Sequence, residues 1–418
     1  MSFGVDNLVA VPADLDSVID VGKEDDPLGV GVDPLVVDWI WAAVLEWYRL
    51  GTTPAIQVCV RREGAVLLNR SIGHAKGNVP GAAADAPTEA LTVDSPFCGF
   101  STAKGVAATV MFMLIEQGFF QLDDPVANYL TEFQRNGKQH ITIGDILAHT
   151  AGIPFLPAGY SGSAVVFDED LAAAALADLK PSWPRRRFRI YHALTAGLVQ
   201  RLLVHRVTGK RMNDHLTEQV LNPLGFRWNR FGVNAEDVAQ VVQSVKTGPP
   251  PSRVQTYLTG KAVGNGFSKT DKATTGAFLT AELPSGNLVT TANELSRFYE
   301  ILTRGGELDG VRILNPDTLR TAIAPDAPLP RVGGRVSRGG FEIGGQRSKF
   351  GRNTETHFGR SGLTTQYGWA DPARALSGAI LTSGKSTADT DRPWKLVAQI
   401  SNALPPITSP PFDAKNPR

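Results

Sequence analysis

The chain has 418 residues, 42% hydrophobic and 20% charged, enough for one large two-part fold or two to three ordinary domains with a sizeable core. A formal net charge of +1 gives no global basic field, which excludes nucleic acid as an expected partner. Two cysteines, Cys59 and Cys98, make no disulfide framework, the histidines lack ligand spacing, and no apolar run is long enough to span a bilayer. No metal, no cofactor and no stable membrane insertion are therefore expected.

The first residues carry Asp6, Asp14, Asp16 and Asp20 and lack both a basic and an apolar stretch, so they read as no signal peptide and the expected location is cytoplasmic. Residues 1–33 read as an irregular lead-in. Pro34 to Leu50 is an amphipathic helix, with Leu35, Val36, Trp39, Ile40, Val44 and Trp47 on one side, and Gly51 stops it. Ala55 to Val60 and Ala65 to Arg70 form a hairpin about the turn at Arg61 to Gly64. Asn78 to Pro87 is a loop. Val106, Val110, Met113 and Leu114 recur at helical spacing up to Gly118.

Further along, Leu171 to Leu179, Tyr191 to Val207 and Asn213 to Leu221 are helical, and Lys246 to Thr280 is a Gly-, Thr- and Pro-rich loop. The run Arg185-Arg186-Arg187-Phe188-Arg189 reads as a solvated turn. Glu294 to Leu302 is a helix, Gln366 to Asp371 and Leu376 to Ser383 are strands joined at Asp371-Pro372-Ala373, and Pro393 to Leu404 is a closing helix. The expected class is α+β: an antiparallel sheet flanked by helices, with a mostly helical domain inserted. The sheet domain spans 34–101 and 281–404, the helical domain 102–280, and a Pro-rich tail 405–418.

Chemistry concentrates at Phe100-Ser101-Thr102-Ala103-Lys104. Ser101 and Lys104 share one face of a helix start. A serine hydroxyl needs a base within reach, and a desolvated lysine serves as one. Alone, the tetrapeptide also describes a helix-capping serine followed by a solvated lysine. Gly99-Phe100-Ser101-Thr102-Ala103 comes near G-x-S-x-G but ends in alanine. Tyr191-His192-Ala193 offers a tyrosine able to relay a proton where positive neighbours lower its pKa. His357-Phe358-Gly359-Arg360-Ser361-Gly362-Leu363 offers a small-residue strand with a fixed positive charge.

The order S-T-A-K, Y-H-A, R-S-G resembles the serine β-lactamase and penicillin-binding protein superfamily. Leu122-Asp123-Asp124-Pro125-Val126, Ile146 to Gly152, Val207 to Lys210 with Leu221 to Gly225, and Ser285 to Ala292 resemble further family segments. The resemblance runs from about Pro34 to Leu404. Tyr191-His192-Ala193-Leu194-Thr195 is most similar to the class C-like, family VIII carboxylesterases, including mycobacterial members. It implies a β-lactamase/transpeptidase-like fold and a serine hydrolase acting on short-chain carboxylic esters, a small-molecule substrate. By the resemblance, Ser101 is the nucleophile, Lys104 and Tyr191 move the proton, and the Ser101 and Leu363 amides form the oxyanion hole. Arg360, Ser361 and Gly362, with His357 and His192 beside the motifs, are expected to bind substrate. His149 falls in a segment that shapes the cleft. Ala193 replaces the asparagine of true class C β-lactamases, and Arg360 stands where lysine or histidine is usual. β-Lactam or D-alanyl peptide hydrolysis, acyl transfer, and a catalytically silent sensor remain the alternatives.

Overall fold

The computed structural model describes residues 7–83, 85–263, 276–330, 334–363 and 365–415. Its centre is an eight-stranded antiparallel sheet. The strand order is Ile19–Val21, Ala65–Lys76, Ala55–Arg62, Leu376–Thr382, Gln366–Asp371, Phe358–Gly362 and Glu342–Ile343, with Glu89–Ala90 beside Ala65–Lys76. The two ends of the chain meet at the middle, where Val60 pairs with Gly378 and Val58 with Ile380.

Alternation along these strands sends side chains to two separate cores. Ile56, Val58, Val60, Tyr367, Trp369 and Ile380 pack beneath the helices Pro34–Tyr48 and Arg392–Ala403. Ala55, Cys59, Ala379 and Leu381 face the helices Ala292–Thr303 and Ala103–Glu116. Both cysteines are free and buried. The middle of the chain adds the helices Ile143–Leu147, Glu169–Asp178, Thr195–Thr208 and Met212–Leu216 around Ala103–Glu116, which gives the α+β class with a helical insertion.

Four local expectations change. The segment before Pro34 is not wholly irregular: Ile19–Val21 adds an edge strand, pairing Ile19 with Ile72. The helix Pro34–Tyr48 starts after Asp33, whose carboxylate accepts the Leu35 N–H. It buries Val37, Ile40, Trp41, Val44, Trp47 and Tyr48, an i, i+3, i+4, i+7 stripe counted from Val37, and leaves Leu35 and Trp39 exposed. The third helix of the central group begins at Thr195, so Tyr191 precedes it in a loop. Lys246 to Thr280, expected as loop, holds the helices Arg253–Val263 and Gly276–Thr280, with 264–275 outside the described residues. Its prolines all fall at 249–251, and Arg253–Val263 has none, with Gly260 its single glycine.

Candidate active site

Ser101 sits in a tight 3-10 turn, Phe100–Thr102, that runs straight into Ala103–Glu116. Phe100 adopts φ 46°, a strained value for a bulky residue, and its ring is buried. The strain is held from both sides: Gly99 N–H donates to Leu288 O at 2.6 Å, and Thr102 Oγ1 donates to Gly99 O at 2.9 Å. The turn thereby aims the Ser101 hydroxyl out of the helix start.

Helix residues Ala103 to Leu114 are all buried, so Lys104 is taken out of water at 7% exposure. Its Nζ donates to Ser285 O at 2.6 Å and Ala193 O at 3.0 Å. Ser285 reaches that position because Gly197 lacks a side chain, since a Cβ there would lie 2.3 Å from Ser285 Oγ. Burial lowers the Lys104 pKa to about 8, with the Arg360 charge adding to the depression and Tyr191 opposing it. The carbonyl acceptors supply no countercharge, and the opposing effect of Tyr191 is too small to restore the ordinary lysine value.

Tyr191 Oη donates to Ser101 Oγ at 2.7 Å. Lys104 Nζ lies 4.7 Å from the Tyr191 ring centre and the Arg360 guanidinium 5.3 Å from it. Burial pushes the phenol up, but the charges of Lys104 and Arg360, aided by the hydrogen-bonding contacts with Lys104 and Ser101, outweigh it, and the pKa falls below the ordinary tyrosine value. Serine and lysine are therefore linked through Tyr191 and through Ser285 O, which Ser101 Oγ also approaches at 3.4 Å.

The basic run upstream is a turn, as expected, but only in part solvated: Arg185 and Arg187 are exposed, Arg186 is half-buried and Arg189 is buried. Arg185 pairs with Asp145 at 2.5 Å, Arg186 with Asp326 at 3.1 Å, and Arg189 with Asp326, Ala148 O and Ala327 O. Asp145 is fully buried and Arg189 nearly so. These pairs bracket the loop leading to Tyr191 and fix its path. Their signal in the sequence was the run itself; their acidic partners lie far along the chain.

The two histidines expected to touch substrate do not. His192 is fully buried: its Nε2 accepts the Ile153 N–H at 3.0 Å and its Nδ1–H donates to Ile190 O at 2.7 Å. Burial lowers its pKa to about 4, so it stays neutral and ties the Tyr191 loop to the loop after His149. His357 is fully buried at the opposite side of the strand, stacked 4.2 Å from Phe350 and bonded to Tyr367 Oη at 3.0 Å. Strand alternation turns His357 and Arg360 to opposite faces.

Arg360 also differs from expectation. It is 4% exposed, donates to Gly340 O at 2.7 Å and to His149 Nε2 at 2.7 Å, and so is committed beneath Tyr191 instead of being free for substrate. Because His149 Nε2 accepts that bond, and burial and Arg360 hold its pKa well below the histidine value, His149 is no base for Ser101. Its ring packs edge-on to Tyr191 at 5.0 Å and stacks on His192 at 5.7 Å, shaping the cleft as expected. Gly362 brings the strand against the turn that carries Ser101: a Cβ there would lie 2.3 Å from Gly99 O. Leu363 follows at the exposed strand end. Ser361 is half-buried, and Glu342, which no motif singled out, accepts both its N–H at 3.0 Å and its hydroxyl. Among the described residues no cluster of metal-binding side chains is present, and no helix is long and apolar enough to cross a membrane.

The profile of the family described as Beta-lactamase matches residues 49–402. The chain is 30% identical over 311 residues to the esterase/beta-lactamase LipL of Mycobacterium tuberculosis, covering 69% of this chain and 70% of that protein. Among solved structures it is similar to a penicillin-binding protein homologue from Caulobacter crescentus, with a TM-score of 0.73, 25% identity, and 90% and 99% of the two chains covered. A family VIII carboxylesterase shares the fold, with a TM-score of 0.75, 24% identity, and 90% and 99% covered. With a serine, a buried lysine and a tyrosine converging at the start of one helix, the chain belongs to the beta-lactamase family, as a serine hydrolase of that fold.

Proposed function

We propose that the protein is a carboxylesterase that cleaves short-chain esters through an acyl-enzyme on Ser101. The observation that carries this reading is the 2.7 Å contact between Tyr191 Oη and Ser101 Oγ, with Lys104 packed under the same ring. The lowered pKa values of Lys104 and Tyr191 let the pair give up a proton at lower pH than free side chains would, with the Lys104 amine titrating near 8. In that state the phenol oxygen accepts the serine proton as Ser101 attacks the ester carbonyl. The same pair returns the proton to the leaving alkoxide, then activates the water that releases the acyl group.

The Ser101 amide is one donor for the oxyanion and the Leu363 amide the other. Leu363 lies two residues beyond Ser361, whose N–H faces the open edge of the strand, and the two-residue alternation directs both amides to that edge. The likeness to LipL, an esterase/beta-lactamase, is compatible with either bond, and the ester class is supported by Ala193, whose carbonyl is already taken by Lys104 and whose methyl offers no amide to hold a β-lactam. The test is hydrolysis of a p-nitrophenyl ester series beside nitrocefin, with Ser101→Ala as control. Faster turnover of nitrocefin than of p-nitrophenyl butyrate overturns the ester reading. A Ser101 that takes no fluorophosphonate label overturns the enzymatic one.

A further inference from the structure

The strand Phe358–Gly362 has two edges. One pairs along its length with Gln366–Asp371. The other pairs with Glu342–Ile343 only at Phe358 and Gly359, so beyond Gly359 it has no strand partner among the described residues. That open stretch ends against the nucleophile turn, as the approach of Gly362 to Gly99 O requires. An edge of this kind normally presents its N–H groups to whatever lies alongside. Here the Ser361 N–H points to this edge, and both it and the Ser361 hydroxyl end on one oxygen, Glu342 Oε1. The second oxygen, Oε2, accepts Lys349 Nζ at 2.5 Å. The Glu342 side chain is 14% exposed, and its remaining cationic neighbour is Arg360. The carboxylate thus occupies two donors and neutralises one of the two cations at this corner.

We propose that Glu342 is a specificity-determining residue: by capping Ser361 it withholds both donors from the substrate, so the site takes uncharged esters and discriminates against substrates that carry a carboxylate beside the scissile bond. The argument rests on the ester-hydrolase reading of Ser101 and deepens it. A substrate carboxylate needs those two donors and must compete with an internal carboxylate already seated on them. It also meets a negative group within a few ångströms. A simple acyl chain needs neither donor and loses nothing.

The experiment compares p-nitrophenyl butyrate with mono-p-nitrophenyl succinate, an ester of equal acyl length that ends in a carboxylate. The ratio of kcat/KM for the anionic to the neutral ester is measured for wild type, Glu342→Gln and Glu342→Ala. Both variants leave Lys349 without its ion-pair partner and remove the negative charge near Arg360, and the ratio should rise about tenfold or more, chiefly through KM. Glu342→Gln keeps an acceptor for the Ser361 N–H, so it carries the test if the alanine variant loses its fold. Ratios within about twofold of wild type in the folded variants overturn the proposal. A wild type that leaves p-nitrophenyl butyrate uncleaved while Ser101 still takes a fluorophosphonate label rejects the ester reading itself, and the proposal with it. That result is distinct from an unchanged ratio.

Discussion

Replacing Lys104 with methionine should change how stability depends on pH. Burial lowers the Lys104 pKa from 10.5 to about 8. At ~1.4 kcal/mol per pH unit, holding the charged amine costs the folded state about 3 kcal/mol at neutral pH. Below about pH 8 the amine is protonated in both states and the folded state bears the whole penalty. From there up to 10.5 the unfolded chain binds more protons, so wild-type stability climbs with pH. Tyr191, lowered by the same lysine, acts in the same direction. Lys104→Met removes the climb. It also strips the donor from Ser285 O and Ala193 O, each at about 1–3 kcal/mol, so a comparison at one pH mixes opposing effects of similar size. The slope separates them: between pH 7 and 9 the wild type should gain at least ~1.3 kcal/mol over the variant. Urea unfolding of both proteins at pH 7, 8 and 9 reads this directly. Parallel stability curves would refute a partly neutral Lys104 and the base chemistry built on it.

Tyr191→Phe should lower kcat/KM on p-nitrophenyl butyrate by about 100- to 10,000-fold with KM little changed, while a loss under about fivefold would place proton transfer elsewhere. In the wild type, kcat/KM should rise with pH along a limb near 8 that belongs to the coupled Lys104–Tyr191 pair. Arg360→Met removes a charge that lowers both groups, so that limb should move to higher pH; a fixed limb would show that Arg360 does not act on the pair. Gly105→Ala places a methyl 2.3 Å from Tyr299 Oη and 3.3 Å from Arg360 Cβ, an overpacking that should lower stability by about 1–3 kcal/mol, seen as a drop in Tm; an unchanged Tm would contradict the close approach.

The central hairpin, the late strands and the closing helix were legible because their apolar periodicity is set by two cores that each want one face of each element. The convergence of Ser101, Lys104 and Tyr191 was legible because the three stand in motifs whose order resembles that of a known family. What escaped has no such pattern. Ile19–Val21 is three residues long and lies at the sheet edge, too short for alternation to register. Lys104 is held by backbone carbonyls, which no side-chain motif encodes. His192 and His357 adjoin motif residues in sequence, yet chain reversal and strand parity turn both into the interior. Glu342 is an isolated carboxylate whose meaning arises only once its strand is laid beside Ser361.

The pairing of Ala55–Arg62 with Leu376–Thr382 joins segments separated by most of the chain. Loop closure over such a distance is slow, and it must wait for the late strands to be synthesised. During translation Ser101 leaves the ribosome early, while Arg360 and the strand that backs it emerge near the end. If Ser101 is the nucleophile proposed above, the nascent chain is born with it but without the surroundings that arm it, and hydrolytic power arrives only when the C-terminal third docks.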